Sequence, residues 1–312
     1  MSLTMCSKRT RRMVKTFRIP RDSLTVNVLF ASSAAVRLLD LRTKKFVNFY
    51  IRSLPILHHQ FAKIGNLNIP MSIDTEEYSM NLYFDDQIEG LKTATDYFCS
   101  FFDQEICGIN INSSLNFSGP MIVIEWLLER QKRFTYIRSE CEKTNDTVAK
   151  YILDKCNLCS AVIIDFKLPA EFRYNFKFES EWSIEIHSGS WVTLNNLLNI
   201  NCKELILKGT QLTNNEINSF LKHWFTSDLK FQMVKIDMEV LNLNVLFSGL
   251  PFYQNRENIK RVFKALDNGS YFVSGGLDII REDRRMRATI TLTPTLQQQG
   301  TFWMFVSDNA SQ

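Results

Sequence analysis

The chain has 312 residues, 45% of them hydrophobic and 22% charged, with a formal net charge of +4, a composition that supports a packed core and excludes a disordered chain. That length stands at the upper edge of what one compact core supports, so two domains or an elongated repeat array is expected. The charge is uneven: Lys8, Arg9, Arg11, Arg12, Lys15, Arg18 and Arg21 face only one acid, Asp22, in the opening segment, so the remainder is slightly acidic, unlike a surface built to follow a phosphate backbone.

The first element in chain order is "MSLTMCSKRTRRMVK". Leu3, Cys6, Thr10, Met13 and Phe17 recur at spacings of three and four, which predicts a helix with one narrow apolar seam and a basic opposite face. "SLTVNVLF", "AVRLLDL" and "KFVNFYI" follow as a short β meander within a linking region over 21–77.

From about Tyr78 onward, β-like runs alternate with helix-like ones. The expected strands are "SMNLYF" from Ser79, "CGININ" from Cys107, "RFTYIR" from Arg133, "AVIIDF" from Ala161, "WSIEIH" from Trp182, "KELILK" from Lys203 and "QMVKID" from Gln232. Between them, "TNNEINSFLKHWF" places Ile217, Phe220, Leu221 and Trp224 on one helical face behind a Thr213/Glu216 capping box. "IEGLKTATDYFCSFF", "GPMIVIEWLLERQ" and "RENIKRVFKAL" carry helical spacing too, the last through Ile259, Val262, Phe263 and Leu266. The recurrence predicts an α/β fold of irregular leucine-rich-repeat-like strand-helix units over 78–312, with a parallel sheet. "GSYFVSGG" reads as a loop, "GLDIIREDRRMRATITLT" as an antiparallel hairpin turning at Glu282 to Arg285, and "TFWMFV" as the strand that completes a C-terminal hairpin cap.

Catalytic and metal patterns are not specified. "CNLC" at Cys156 to Cys159 lacks the second ligand pair of a zinc site and reads as thiols packed at a helix end. His58, His59, His187 and His223 do not fall into a nucleophile arrangement, and no phosphate-binding glycine loop occurs. The reading is therefore of a chain that is not an enzyme, with no cofactor and no metal. No run approaches the roughly 20 apolar residues of a membrane span, and seven scattered cysteines suit reduced thiols. The expected setting is cytoplasmic or nuclear, with no nucleic acid and no membrane among the partners. Of the tryptophans, Trp224 is expected in the core, while Trp191, in the polar stretch "HSGSWVT", is the candidate for facing a target protein.

"WVTLNNLLNINCKELILKGTQLTNNEINSFLKHW", Trp191 to Trp224, resembles the F-box-associated type 2 domain of a large family of nematode F-box proteins. "IGNLNIPMSIDTEEYSMNLYFDDQIEGLKTATDYF" and "GGLDIIREDRRMRATI" are similar to flanking segments of that family, and "LTMCSKRTRRMVK" is similar to the end of its F-box, before an Ile-Pro step at Ile19-Pro20. The resemblance implies a truncated F-box helix at 1–20 and an F-box-associated segment at about 160–240. It further implies a non-catalytic substrate-recognition subunit of an SCF-type ubiquitin ligase, in which Leu3, Cys6, Met13 and Phe17 contact the S-phase-kinase-associated adaptor and the repeat domain holds an unknown target protein. The alternative is an interaction module uncoupled from ubiquitination because the F-box is incomplete.

Overall fold

The structure is a computed structural model that describes residues 23–31, 33–53, 60–74, 76, 79–112, 119–141, 146–169, 171–266, 269–294 and 300–309. The N-terminal helix expected over 1–20 lies outside them. The chain divides into two compact units, Met1–Cys141 and Glu142–Gln312. The sequence reading placed its boundaries instead at 20/21 and 77/78.

The first unit contains β1 (Leu24–Phe30), β2 (Ala34–Asp40), β3 (Phe46–Ser53), β4 (Gln60–Ile64), β5 (Leu67–Asp74), β6 (Ser79–Phe84), α1 (Gln87–Phe102), β7 (Ile106–Asn112), α2 (Gly119–Arg130) and β8 (Phe134–Cys141). Its strands lie in the order β8-β7-β1-β2-β3-β6-β5-β4. The pairs β1–β2, β2–β3, β5–β6 and β4–β5 are antiparallel, while β1–β7, β7–β8 and β3–β6 are parallel. The meander matches "SLTVNVLF", "AVRLLDL" and "KFVNFYI". The β4–β5 hairpin was not anticipated: its two-residue turn has Gly65 at a φ of 61°, the left-handed value a type II′ turn requires at its first central position.

Helix α1 forms because Asp86 caps it, accepting from the Ile88 and Glu89 N–H groups at 2.7 and 2.9 Å. It stops at Asp103, whose φ of 54° breaks the helical run. Its buried stripe, including Leu91, Ala94 and Phe98, packs on β1, β2, β3 and β6, with the Phe98 ring 4.3 Å from that of Phe49.

The second unit contains α3 (Asp146–Lys155), β9 (Cys159–Phe166), β10 (Phe178–Glu179), β11 (Ser183–Ile186), α4 (Leu194–Leu198), β12 (Ile200–Asn201), β13 (Glu204–Leu207), α5 (Asn214–Thr226), β14 (Met233–Met238), α6 (Leu243–Leu246), β15 (Tyr253–Lys264), β16 (Ser270–Ile280), β17 (Met286–Pro294) and β18 (Gly300–Asp308). The strand order is β15-β16-β17-β18-β14-β13-β11-β9. In this sheet β9, β11, β13 and β14 run parallel to one another, and β10 and β12 form a separate two-stranded parallel pair. From β14 onward every pairing is antiparallel. The architecture is thus mixed α/β in which antiparallel pairing predominates, a correction to the expected parallel repeat sheet: the C-terminal antiparallel hairpin is present as expected, but β15 and β16 enlarge it.

Helix α5 starts at the expected capping box: the Thr213 N–H donates to Glu216 Oε2 at 2.8 Å, and Thr213 Oγ1 accepts from the Glu216 N–H at 3.3 Å. Ile217, Phe220, Leu221 and Trp224 form its buried stripe. Two other expectations are overturned. "RENIKRVFKAL" is part of strand β15 and not a helix, and "GSYFVSGG" is the first half of β16 and not a loop. The helix-like spacing in β15 misled because the strand's inward positions include Arg261, a charge that no apolar template counts. Arg261 is buried because its guanidinium donates to Asp278 Oδ1 on the neighbouring strand β16 and to Thr289 Oγ1 on β17, the next strand beyond it, both at 2.7 Å. The expected hairpin turn is present between β16 and β17, with Arg284 at a φ of 60°.

Strand β16 pairs with β17 only from Leu277 to Ile280. It turns away at Gly275 and Gly276, whose φ values of 68° and 100° favour glycine, and a Cβ at Gly276 would stand 2.9 Å from the Ile290 carbonyl oxygen. Beyond that bend, the β15–β16 hairpin reaches the strands of the parallel run. Phe263 stacks on Phe305 at 5.0 Å, the Leu266 N–H donates to Glu204 Oε1 at 2.7 Å, and Phe263 and Val273 share a buried cluster with Met233 and Phe305.

Candidate target-binding face

Successive side chains of a strand point to opposite faces, and in the parallel run the two sets differ in kind. Val162 and Ile164 of β9, Ile184 and Ile186 of β11, Leu205 and Leu207 of β13, and Val234 and Ile236 of β14 are all buried. The register sets Ile184 beside both Val162 and Leu205, and Leu205 beside Val234, so these residues form one continuous apolar layer. The alternate set, Ile163 and Asp165, Glu185 and His187, Ile206 and Lys208, Lys235 and Asp237, is only half-buried.

This second face is polar and self-paired. His187 Nε2 lies 2.9 Å from Glu185 Oε2 and 3.3 Å from Lys208 Nζ, so one ring nitrogen sits between a carboxylate and an ammonium group. Ser188 Oγ donates to Asp165 Oδ1 at 2.5 Å. The Ser188 hydroxyl is therefore engaged by Asp165 and not by His187, and the cluster does not have the relay of an activated nucleophile. At its other end Lys235 Nζ stands 4.7 Å from the centroid of the Trp303 ring, a cation–π distance. Trp303 stacks on Phe305 at 5.6 Å with 9° between planes and lies 5.8 Å from Tyr271. A shallow open cleft of about 310 Å³ runs between Tyr271, Ser274, Thr291 and Trp303. Alternating charges that end on a half-exposed aromatic shelf suit the polar rim and aromatic anchor of a protein interface.

The thiols take no part in such a surface. Cys156 and Cys159 are buried where α3 ends and β9 begins, and the Cys156 thiol donates to the Ile152 carbonyl at 3.2 Å. Burial pushes the Cys159 thiol up to about 12 and Cys156 well above its ordinary value, which keeps both protonated at neutral pH and unready as ligands or nucleophiles. Among the described residues no group of three or more His, Cys, Asp or Glu side chains is placed to hold a metal ion. No described helix is long and apolar enough to cross a membrane.

Leu3, Cys6, Met13 and Phe17, expected at the adaptor, lie outside the described residues. Trp191, expected to face a target, is in the core instead: it is 1% exposed, with the rings of Phe172 and Phe176 at 5.7 and 5.9 Å. Those two rings come from the irregular stretch ahead of β11, which is why the polar neighbours of Trp191 misdirected the reading. Trp224 is in the core as expected. Lys235, His187 and Trp303 were not picked out as one surface. The sequence signal was available in the alternation of "QMVKID" and "TFWMFV", but only the register places Lys235 opposite Trp303.

Residues 171–236, which include β11, β13 and most of β14, match a family described as F-box associated. Among curated proteins, the Skn-1 dependent zygotic transcript 15 protein of Caenorhabditis elegans is 23% identical over 218 residues, a stretch that covers 63% of this chain. The chain spans 62% of the length of that relative. No solved structure matches the chain. The region of this molecule that resembles an F-box associated domain thus carries the middle of the half-buried polar face, Glu185, His187, Lys208 and Lys235, while Asp165 and Trp303 at its ends lie outside the match.

Proposed function

We propose that this protein is a non-catalytic, target-binding subunit of an SCF-type ubiquitin ligase, acting in the cytoplasm or nucleus. The match of residues 171–236 to the F-box associated family carries the reading. In it, the run of β9, β11, β13 and β14 is leucine-rich-repeat-like, and its polar face from Asp165 to Trp303 receives a target protein. Leu3, Cys6, Met13 and Phe17 supply the apolar seam for the S-phase-kinase-associated adaptor, and the complex raises the target's effective concentration beside the transfer site. The half-buried charges support target binding because a rim of this kind contributes selectivity and encounter rate more than affinity.

Co-precipitation of the full chain with the purified adaptor at low salt tests the reading. Capture by the native chain, and its loss on Met13→Asp with Phe17→Asp, is the expected outcome. A chain that fails to capture the adaptor but retains a target through the face of His187 and Lys235 would instead be the uncoupled interaction module.

A further inference from the structure

The β15–β16 hairpin has a second face, turned away from Phe305 and Met233. The antiparallel register pairs Lys260 with Ser274, Val262 with Phe272 and Lys264 with Ser270, and all six side chains are exposed. Phe272 is 82% exposed and Val262 59%, a cross-strand apolar pair with a lysine two residues to either side. No acid stands among the six. Strand β15 pairs with β16 on one side and with no described strand on the other. Its regular stretch is short: pairing resumes at Lys260 after the four residues 256–259 bulge out opposite a single residue of β16, and it ends at Lys264.

We propose that this edge is a docking site for an extended segment of a partner protein, with acidic residues two positions before and two after an apolar one. This surface adjoins the polar face at the cleft that Phe272 and Ser274 help to line, but its open strand edge and lysines are not part of that face and the proposal does not rest on the ubiquitin-ligase reading. The added strand hydrogen-bonds through its backbone to the open edge of β15. Side chains on one face of a strand repeat every second residue, at about 6.8 Å, so the spacing of Lys260, Val262 and Lys264 is matched by an acidic–x–apolar–x–acidic segment. The bulge at 256–259 limits the paired length to about these five residues. Two features select this occupant over another copy of the chain. Antiparallel pairing of two β15 edges centred on Val262 brings Lys260 of one against Lys264 of the other, and like charges directly opposite are unfavourable. Lysines on an edge strand are a recognised barrier to self-pairing, while for an acidic strand the same lysines are attractive.

Fluorescence anisotropy with the full chain and a labelled, end-blocked peptide centred on Asp-Thr-Ile-Thr-Asp tests the site. The expected result is saturable binding at low salt, weakened by added salt because the ion pairs are exposed. Binding is expected to be at least tenfold weaker to Phe272→Ser and to the double variant Lys260→Glu, Lys264→Glu. A peptide with lysines in place of the two aspartates binds the reversed double variant and not the native chain. N-methylation of alternate peptide amides abolishes binding for one of the two edges, as strand addition requires. Circular dichroism confirms that the variants, all at exposed positions, keep the native fold. Equal binding of the acidic and lysine peptides, or unchanged binding by the double variant, overturns the proposal. So does Phe272-dependent attachment to phosphatidylserine/phosphatidylcholine vesicles without peptide binding, or a Phe272-dependent dimer in sedimentation.

Discussion

Two parts of the second unit hold their strands together by different means. In the parallel run, Ile184, Leu205, Val234 and their neighbours build a layer without charge, and helix α5 adds a buried stripe of Ile217, Phe220, Leu221 and Trp224. In the C-terminal hairpins the corresponding inward positions include Arg261, Asp278 and Thr289, all nearly inaccessible and mutually hydrogen-bonded. An apolar layer is tolerant of direction and depends on volume. A buried ion pair depends on both partners being present, because one charge alone has lost its water without compensation. The first part is therefore sensitive to cavities, the second to the loss of a partner.

The largest expected effect is in the apolar part. Phe220 is fully buried, 5.7 Å from the Phe231 ring, and Phe220→Ala should cost about 3–5 kcal/mol of stability in urea unfolding, the sum of lost burial and residual cavity. Asp278→Ala tests the hairpins. Breaking a buried pair typically costs about 3–5 kcal/mol, and a value near the lower end is expected because Thr289 and Asn255 still accept from Arg261. The double replacement Arg261→Met, Asp278→Leu should recover most of that loss. If it does not, the pair is not what governs the hairpins. Thr213→Ala removes one side of the α5 capping box and should cost about 1 kcal/mol, with helix content otherwise retained.

The remaining effect is a pH dependence shared by both units, absent at neutral pH. Burial raises the Cys99 thiol of α1 from 9.0 to about 11 and Cys159 of β9 to about 12. The folded chain therefore holds protons that the unfolded chain releases, and stability falls as pH rises from about 9 towards those values. Urea midpoints should be level below pH 8.5 and decline by pH 10. A decline that persists unchanged in a Cys99→Ala, Cys159→Ala variant would assign it to other groups.

Much of the fold was legible in local pattern. The expected runs at Ser79, Cys107, Arg133, Ala161, Trp182, Lys203 and Gln232 each begin at or within two residues of an observed strand, and the helices at 87–102, 119–130 and 214–226 follow from stripes and caps. These are signals that a short window contains. The errors fall where the deciding partner is distant in sequence. "RENIKRVFKAL" becomes a strand because Asp278 lies 17 residues on and Thr289 28 residues on. Trp191 is enclosed because Phe172 and Phe176 precede it in a segment with little regular structure.

The candidate site divides in the same way. Charge and aromatic alternation in β11, β13, β14 and β18 could be read residue by residue, yet which of those residues meet was fixed only by strand order and register. By itself, the sequence determined which segments are amphipathic, where α1, α2 and α5 begin, and that a stretch near Trp191 to Trp224 resembles an F-box-associated domain, because periodicity and capping act over a few residues. Tertiary structure alone decided that β15 and the first half of β16 join the expected C-terminal hairpin as strands, that Arg261 is buried, and that Val262 and Phe272 stand together on an open edge. Those outcomes depend on which strand lies beside which, and that is settled by pairing across tens of residues and not by the pattern within any one of them.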